Sequence, residues 1–197
     1  MYKLIGSPKT RAFRVLWMLE EIGADYTIQP DPPRAEAVSK LNPTGKIPVL
    51  EVDGTPIIDS VAINQYLADK HGMLTFAAGT LDRARQDSMT QFLCDEIDGT
   101  LWTAARNSFI LPEEKRVPAI KETLKWEFER SIKALETRLE GDYLLGDQMT
   151  TPDILATHLI GWAVNAKFPV ESDALMAHSK RMRSRDAYRR ADAIRKG

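Results

Sequence analysis

The residues best placed to do chemistry are Asn42-Pro43-Thr44-Gly45-Lys46-Ile47-Pro48-Val49-Leu50-Glu51-Val52, followed closely by Asp59-Ser60. Ile47 to Val52 reads as a short strand of β-branched and apolar residues whose second position is proline, which removes a donor from the ladder. A cis Ile47-Pro48 bond, which an X-Pro sequence reaches at roughly 0.5–1 kcal/mol, turns the chain sharply and leaves the Ile47 amide and carbonyl facing outward. An extended peptide ligand can pair there as an added strand.

The elements that must position these residues follow from periodicity and turn chemistry. Tyr2 to Ile5 predicts a strand ended by Gly6-Ser7-Pro8. Arg11 to Ile22 carries helical spacing through Val15, Leu16, Leu19 and Ile22, and Gly23 closes it. Tyr26 to Gln29, Ile47 to Val52 and Pro56 to Ile58 predict three more strands, the last two joined by the Asp53-Gly54 turn. Ser60 is expected to cap a helix to about Lys70, with a short helix in the loop before Asn42. This βαβ-loop-ββα order predicts an α/β domain over residues 1–75.

After Leu74 to Thr80, a stretch suited to a linker, the strand patterns stop, and an all-α domain is expected over residues 81–197. Met89, Leu93, Ile97 and Leu101 form one apolar stripe, and Leu124, Phe128, Ile132, Leu135 and Leu139 a second. Thr150-Thr151-Pro152-Asp153 is a capping sequence, with Met149 and Ile154 set as a hydrophobic staple, and opens a buried helix to about Ala166. Helices near Ser172–Arg183 and Asp186–Arg195 complete the domain, the charged tail reading as a solvated face.

Composition excludes several function classes. In 197 residues, 43% are apolar and 28% charged, ordinary globular values. A net charge of −1 argues against nucleic acid or an anionic membrane surface as main partner, since both demand a basic excess. The single cysteine, Cys94, forms no intrachain disulfide and is expected as a small buried hydrophobe. Met1 to Gly6 lacks an apolar leader and no apolar run nears about 18 residues, so a soluble cytoplasmic protein is expected. His71, His158 and His178 have no metal-ligand spacing, so no metal is expected.

Taken together, Arg11 to Glu21, Asn42 to Leu50, Asp59 to Leu67, and Tyr143-Leu144-Leu145-Gly146-Asp147 leading to Thr150 and Asp153 make the chain resemble the cytosolic glutathione S-transferase family, in its bacterial and fungal form with a serine or threonine sulfur donor. The resemblance implies a thioredoxin-like N-terminal domain, an all-α C-terminal domain, glutathione as co-substrate, a small electrophile as second substrate, detoxification chemistry and a homodimer. It assigns Ile47 to pair with the cysteinyl backbone of glutathione, Pro48 to hold that geometry, Ser60 to take the γ-glutamyl carboxylate at a helix N-terminus, and Asp59 to meet the ligand's amino group. Lys46 supplies a cation for a glutathione carboxylate. The donor that ionises the thiol is expected between the first strand and first helix, at Thr10 first and Ser7 second. Arg11 at the cleft, with Trp102, Arg106 and Phe109 on one helical face, is expected to line an electrophile pocket. Arg11 and Arg14 otherwise read as structural, pairing with acids such as Glu20 or with the second domain. The same first domain would serve a glutathione-dependent peroxidase or isomerase, and the alternative from another class is a non-catalytic protein-interaction module.

Overall fold

Four strands make one mixed sheet in the order β2-β1-β3-β4, in a computed structural model that describes residues 1–197. β1 (Tyr2–Ile5) runs parallel to β2 (Tyr26–Gln29) and antiparallel to β3 (Val49–Val52), which pairs antiparallel with β4 (Thr55–Ile58). The helices are α1 (Ala12–Ile22), α2 (Glu36–Leu41), α3 (Ser60–His71), α4 (Leu81–Phe92), α5 (Gly99–Ala105), α6 (Ile120–Glu136), α7 (Thr151–Asn165), α8 (Asp173–Arg183) and α9 (Asp186–Lys196). Two compact units result: residues 1–77 with 183–197, and residues 78–182.

In the first unit the expected α/β order is present, including the short helix before Asn42. The strand expected from Ile47 begins instead at Val49, because Ile47 and Pro48 form the bend that leads into it. α1 is buried nearly all round its first eight residues, Ala12 to Leu19, because it is covered by both α3 and α9. Trp17, fully buried, donates from Nε1 to Glu21 at 2.8 Å, so its one polar atom is satisfied while its large apolar surface leaves water.

Here α9 departs from expectation. It belongs to the first unit rather than to the helical one. Arg189, Arg190 and Lys196 keep the exposed face that was expected, while the opposite face is buried against α1. Ala187, Tyr188 and Ala191 are buried, and the Tyr188 ring meets Phe13 and Trp17 edge-on at 5.4 and 4.9 Å. Arg185 grips Glu21 bidentately at 2.7 and 2.8 Å, Arg190 donates to Glu20 at 2.6 Å, and Arg195 lies 4.3 Å over the Phe13 ring. These three arginines, from the far end of the chain, fill the roles expected of Arg11 and Arg14. Glu20 also accepts from the Tyr26 hydroxyl; burial first, and then that hydrogen bond, push the Tyr26 phenol well up.

Within the second unit, Met89, Leu93, Ile97 and Leu101 are each at most 1% exposed, and Leu124, Phe128, Ile132 and Leu135 of the second predicted stripe are buried, whereas Leu139 lies past the end of α6 and is half-buried. The first stripe's steps of four exceed the 3.6 residues of an α-helical turn and would drift around a regular helix. A π-helical segment, Leu93–Asp98, joins α4 to α5, and its wider turns help hold the stripe on one face. Cys94 falls in this segment and is half-buried rather than buried, lining a surface groove with Gln91, Phe92, Asp95 and Glu96. α7 is apolar on nearly every side, with Ile154, Leu155, Ala156, Leu159, Ile160 and Ala163 all buried. No helix of the chain is long and apolar enough to cross a membrane.

Candidate functional site

The register of the sheet brings the predicted residues of the first unit to one end of it. Ile5 pairs with Val49, and Val49 with Ile58, so the next residues outward are Gly6 from β1, Pro48 before β3 and Asp59 after β4. The Ile47-Pro48 bond is cis. Ile47 stands beyond the last rung of the ladder, so its amide and carbonyl are left out of sheet pairing. Gly6 makes this convergence possible: at φ 130° it adopts a conformation that favours glycine, and a β-carbon there would lie 2.8 Å from Cβ of Ile47. The loop that follows, with Ser7 and Thr10, therefore starts beside Ile47.

Asn42 shapes the approach to Pro48, a role that sequence reasoning missed. Only 3% exposed, it donates from Nδ2 to the Lys46 carbonyl at 2.8 Å, and its Oδ1 accepts from the Thr44 amide and hydroxyl at 3.1 and 2.9 Å. The Asn-Pro-x-Gly composition signalled a turn, but not that one side chain would organise all of it. Lys46 is exposed.

The two hydroxyls of the β1–α1 loop differ in how their protons are used. Thr10 donates to the Ser7 carbonyl at 2.7 Å and accepts from the Ala12 amide at 3.2 Å, tightening the turn into α1. Ser7 Oγ accepts from the Lys9 amide at 3.3 Å, a contact that leaves its proton available. Arg11 is the half-buried residue from which α1 starts.

At the start of α3 the capping residue is Asp59 and not Ser60. Asp59 sits at φ 73°, and its Oδ1 accepts from the Val61 and Ala62 amides at 2.8 and 3.2 Å. Two of the amide donors of the first turn are thereby satisfied, and the Ile63 amide begins the helical ladder on the Asp59 carbonyl at 2.9 Å. Ser60, one residue in, brings its amide and hydroxyl to the same helix end. It is 3% exposed and accepts at Oγ from the buried Arg14 guanidinium at 3.3 Å. Arg14 thus reaches α3.

The remaining candidates belong to the second unit. Trp102 lies in α5 and is half-buried. Arg106, also half-buried, donates to Thr103 at 3.4 Å, and Phe109 is 68% exposed. A second π-helical segment, Arg106–Ile110, runs through this stretch. It widens the turn between Arg106 and Phe109 relative to the regular helix that their spacing assumed.

Two compact units, a thioredoxin-like sheet with its helices and a helical bundle, define the class of two-domain proteins built around a cis-proline edge. Comparison with known proteins agrees. The N-terminal domain model of glutathione S-transferase matches residues 10–70, and the C-terminal domain model of the same family matches residues 100–186. The chain belongs to the glutathione S-transferase family. It is 31% identical over 165 residues to elongation factor 1-gamma of Prunus avium, covering 77% of this chain and 37% of that protein. It is 26% identical over 153 residues to glutathione S-transferase alpha I of Oryctolagus cuniculus, covering 74% of this chain and 66% of the other. Among solved structures, a glutathione transferase of Phanerochaete chrysosporium in complex with oxidized glutathione is 25% identical, with 99% of this chain and 96% of that one covered and a TM-score of 0.85. The chain therefore spans little more than a third of the elongation factor that it matches.

Proposed function

We propose that the first unit binds glutathione and ionises its thiol for attack on a small electrophile, a glutathione transferase reaction. The observation that carries this reading is the common end of the sheet, where Ile47, Ser7 and Ser60 converge from three segments distant in sequence. The Ile47 amide and carbonyl pair with the cysteinyl backbone of the ligand, fixing its sulfur beside the β1–α1 loop. Ser60 takes the γ-glutamyl carboxylate with its amide and hydroxyl at the positive end of α3, and Asp59, still exposed, faces the amino group. Lys46 serves the second carboxylate.

A free thiol with a pKa near about 8.5 is mostly protonated at neutral pH, so a donor must stabilise the thiolate. Each pKa unit of lowering corresponds to about 1.4 kcal/mol, within the range of one hydroxyl hydrogen bond to a charged acceptor. Thr10 and Ser7 both supply hydroxyls. Ser7 offers its proton at once, whereas Thr10 must first give up its bond to the Ser7 carbonyl. Titrating glutathione while following thiolate absorbance against pH tests this in the native chain, Ser7→Ala and Thr10→Val. Saturable binding with a lowered thiol pKa that one variant abolishes supports the reading and names the donor. An unshifted thiol in the native chain overturns the transferase reading.

A second reading, a non-catalytic interaction module, is favoured by one observation: the Thr10 proton already serves the chain's own backbone. The elongation factor match fits such a role. Passage of the native chain through immobilised glutathione without retention would select it. A cytoplasmic homodimer is part of the transferase reading by family resemblance, and light scattering that returned a single chain of 22.2 kDa would remove the dimer.

A further inference from the structure

Arg14 is the buried cation of α1. Only 2% of it is exposed, and it sits among Phe13, Val15 and Leu16, all nearly inaccessible. Burying a guanidinium is unfavourable unless its donors meet acceptors, and one of them, NH1, reaches the Ser60 hydroxyl at 3.3 Å. One turn further along α3, Asn64 donates from Nδ2 to the Arg14 main-chain carbonyl at 3.2 Å. Side chain and backbone of one residue are thus clipped to two residues of α3 separated by a single turn, which sets the register of the two helices at this point.

We infer that Arg14 is a positioning residue for the γ-glutamyl carboxylate, acting through Ser60; the inference rests on the glutathione reading above. A serine hydroxyl has one proton and two acceptor sites. With one acceptor site held by a charged donor from inside the protein, the proton is directed away from Arg14 and is made more polar by it. Asp59 makes this assistance necessary. Its carboxylate takes the Val61 and Ala62 amides, which at an uncapped helix start would be offered to an anion, and it adds a negative charge beside the place where the ligand's carboxylate must sit. The buried positive charge of Arg14 offsets that charge from below and leaves the Ser60 amide and hydroxyl as the anion's donors.

The test is a double-mutant cycle read by calorimetric titration of the full chain with glutathione, using Arg14→Met, Ser60→Ala and the pair. Each single variant is expected to weaken binding about tenfold, and the pair no more than about twofold beyond Ser60→Ala. The second probe is 4-aminobutanoyl-cysteinylglycine, which keeps the amino group of glutathione and lacks the γ-glutamyl carboxylate; Arg14→Met is expected to change its affinity less than about twofold. Losses that multiply to about a hundredfold in the pair, or an equal loss toward both probes, would show a general structural role and overturn the inference. So would native affinity in Arg14→Met. Where Arg14→Met does not fold, Arg14→Lys takes its place in the cycle, keeping the charge while withdrawing the planar fork. A native chain that binds neither probe overturns the glutathione reading and this inference with it; native binding without coupling overturns only the role of Arg14.

Discussion

Two helix starts in this protein use an aspartate in different ways. At α7, Asp153 is fully buried and all of its acceptor capacity faces its own chain: the Leu144 amide at 2.9 Å, the Thr150 amide and hydroxyl at 2.8 and 3.1 Å, and His178 Nε2 at 2.9 Å. At α3, Asp59 is exposed and caps with one oxygen only, and the next residue brings a further amide and a hydroxyl backed by Arg14. The first start is closed and ties together the Leu144 loop, the capping segment and α8. The second carries its capping aspartate at the surface, with Ser60 buried beside it. Similar local chemistry therefore closes one helix start and leaves the other open to solvent, and burial and the surrounding partners make the difference.

The largest effect expected is at the closed end. Asp153→Ala strands buried donors from Leu144, Thr150 and His178, and should lower unfolding free energy by about 3–5 kcal/mol in urea titration. A loss below about 1 kcal/mol would mean that the closed start is not the folding element described. At the open end the same measurement should move less. Ser60→Ala is expected to weaken glutathione binding about tenfold in calorimetry while stability falls by about 1–2 kcal/mol, because a buried Arg14 donor loses its acceptor; a variant that binds as the native chain does would break the contrast from the other side. Asp59→Ala removes an exposed cap and should cost about 1 kcal/mol in the same urea titration, several times less than Asp153→Ala. The smallest change sharpens the comparison most. Asp59→Asn keeps the cap and removes the charge, so stability should stay within about 0.5 kcal/mol of native while glutathione affinity falls a few-fold through loss of the amino-group partner. Unchanged affinity would show that Asp59 only caps.

The chain order of the first unit was legible because each element carries its own period and its own stop signal, as with Gly6, Gly23 and the Asp53-Gly54 turn. The Thr150 to Asp153 cap was legible for the same reason, since its bonds join residues three apart. Partners from afar were not. His178 read only as structural or exposed; it is structural, fully buried against Asp153, 25 residues away, and that partner was not legible. Arg11 and Arg14 were expected to pair with acids such as Glu20 or with the second domain, whereas Arg190, 170 residues from Glu20, bonds that acid and Arg14 donates to Ser60. The charged face expected of α9 is exposed at Arg189, Arg190 and Lys196, but its partners were not legible: Arg185, Arg190 and Arg195 find two carboxylates and an aromatic face on α1.

By itself, then, the sequence determined the elements, their order and the proline turn that leads into β3, all properties of short windows where backbone preference and side-chain period act together. Tertiary structure decided which hydroxyl proton is available, which residue caps α3, which unit α9 joins and what stands behind Ser60. Those outcomes depend on pairs of residues far apart in sequence. Hydrogen bonds and charges select among such pairs only after burial has brought the candidates within reach.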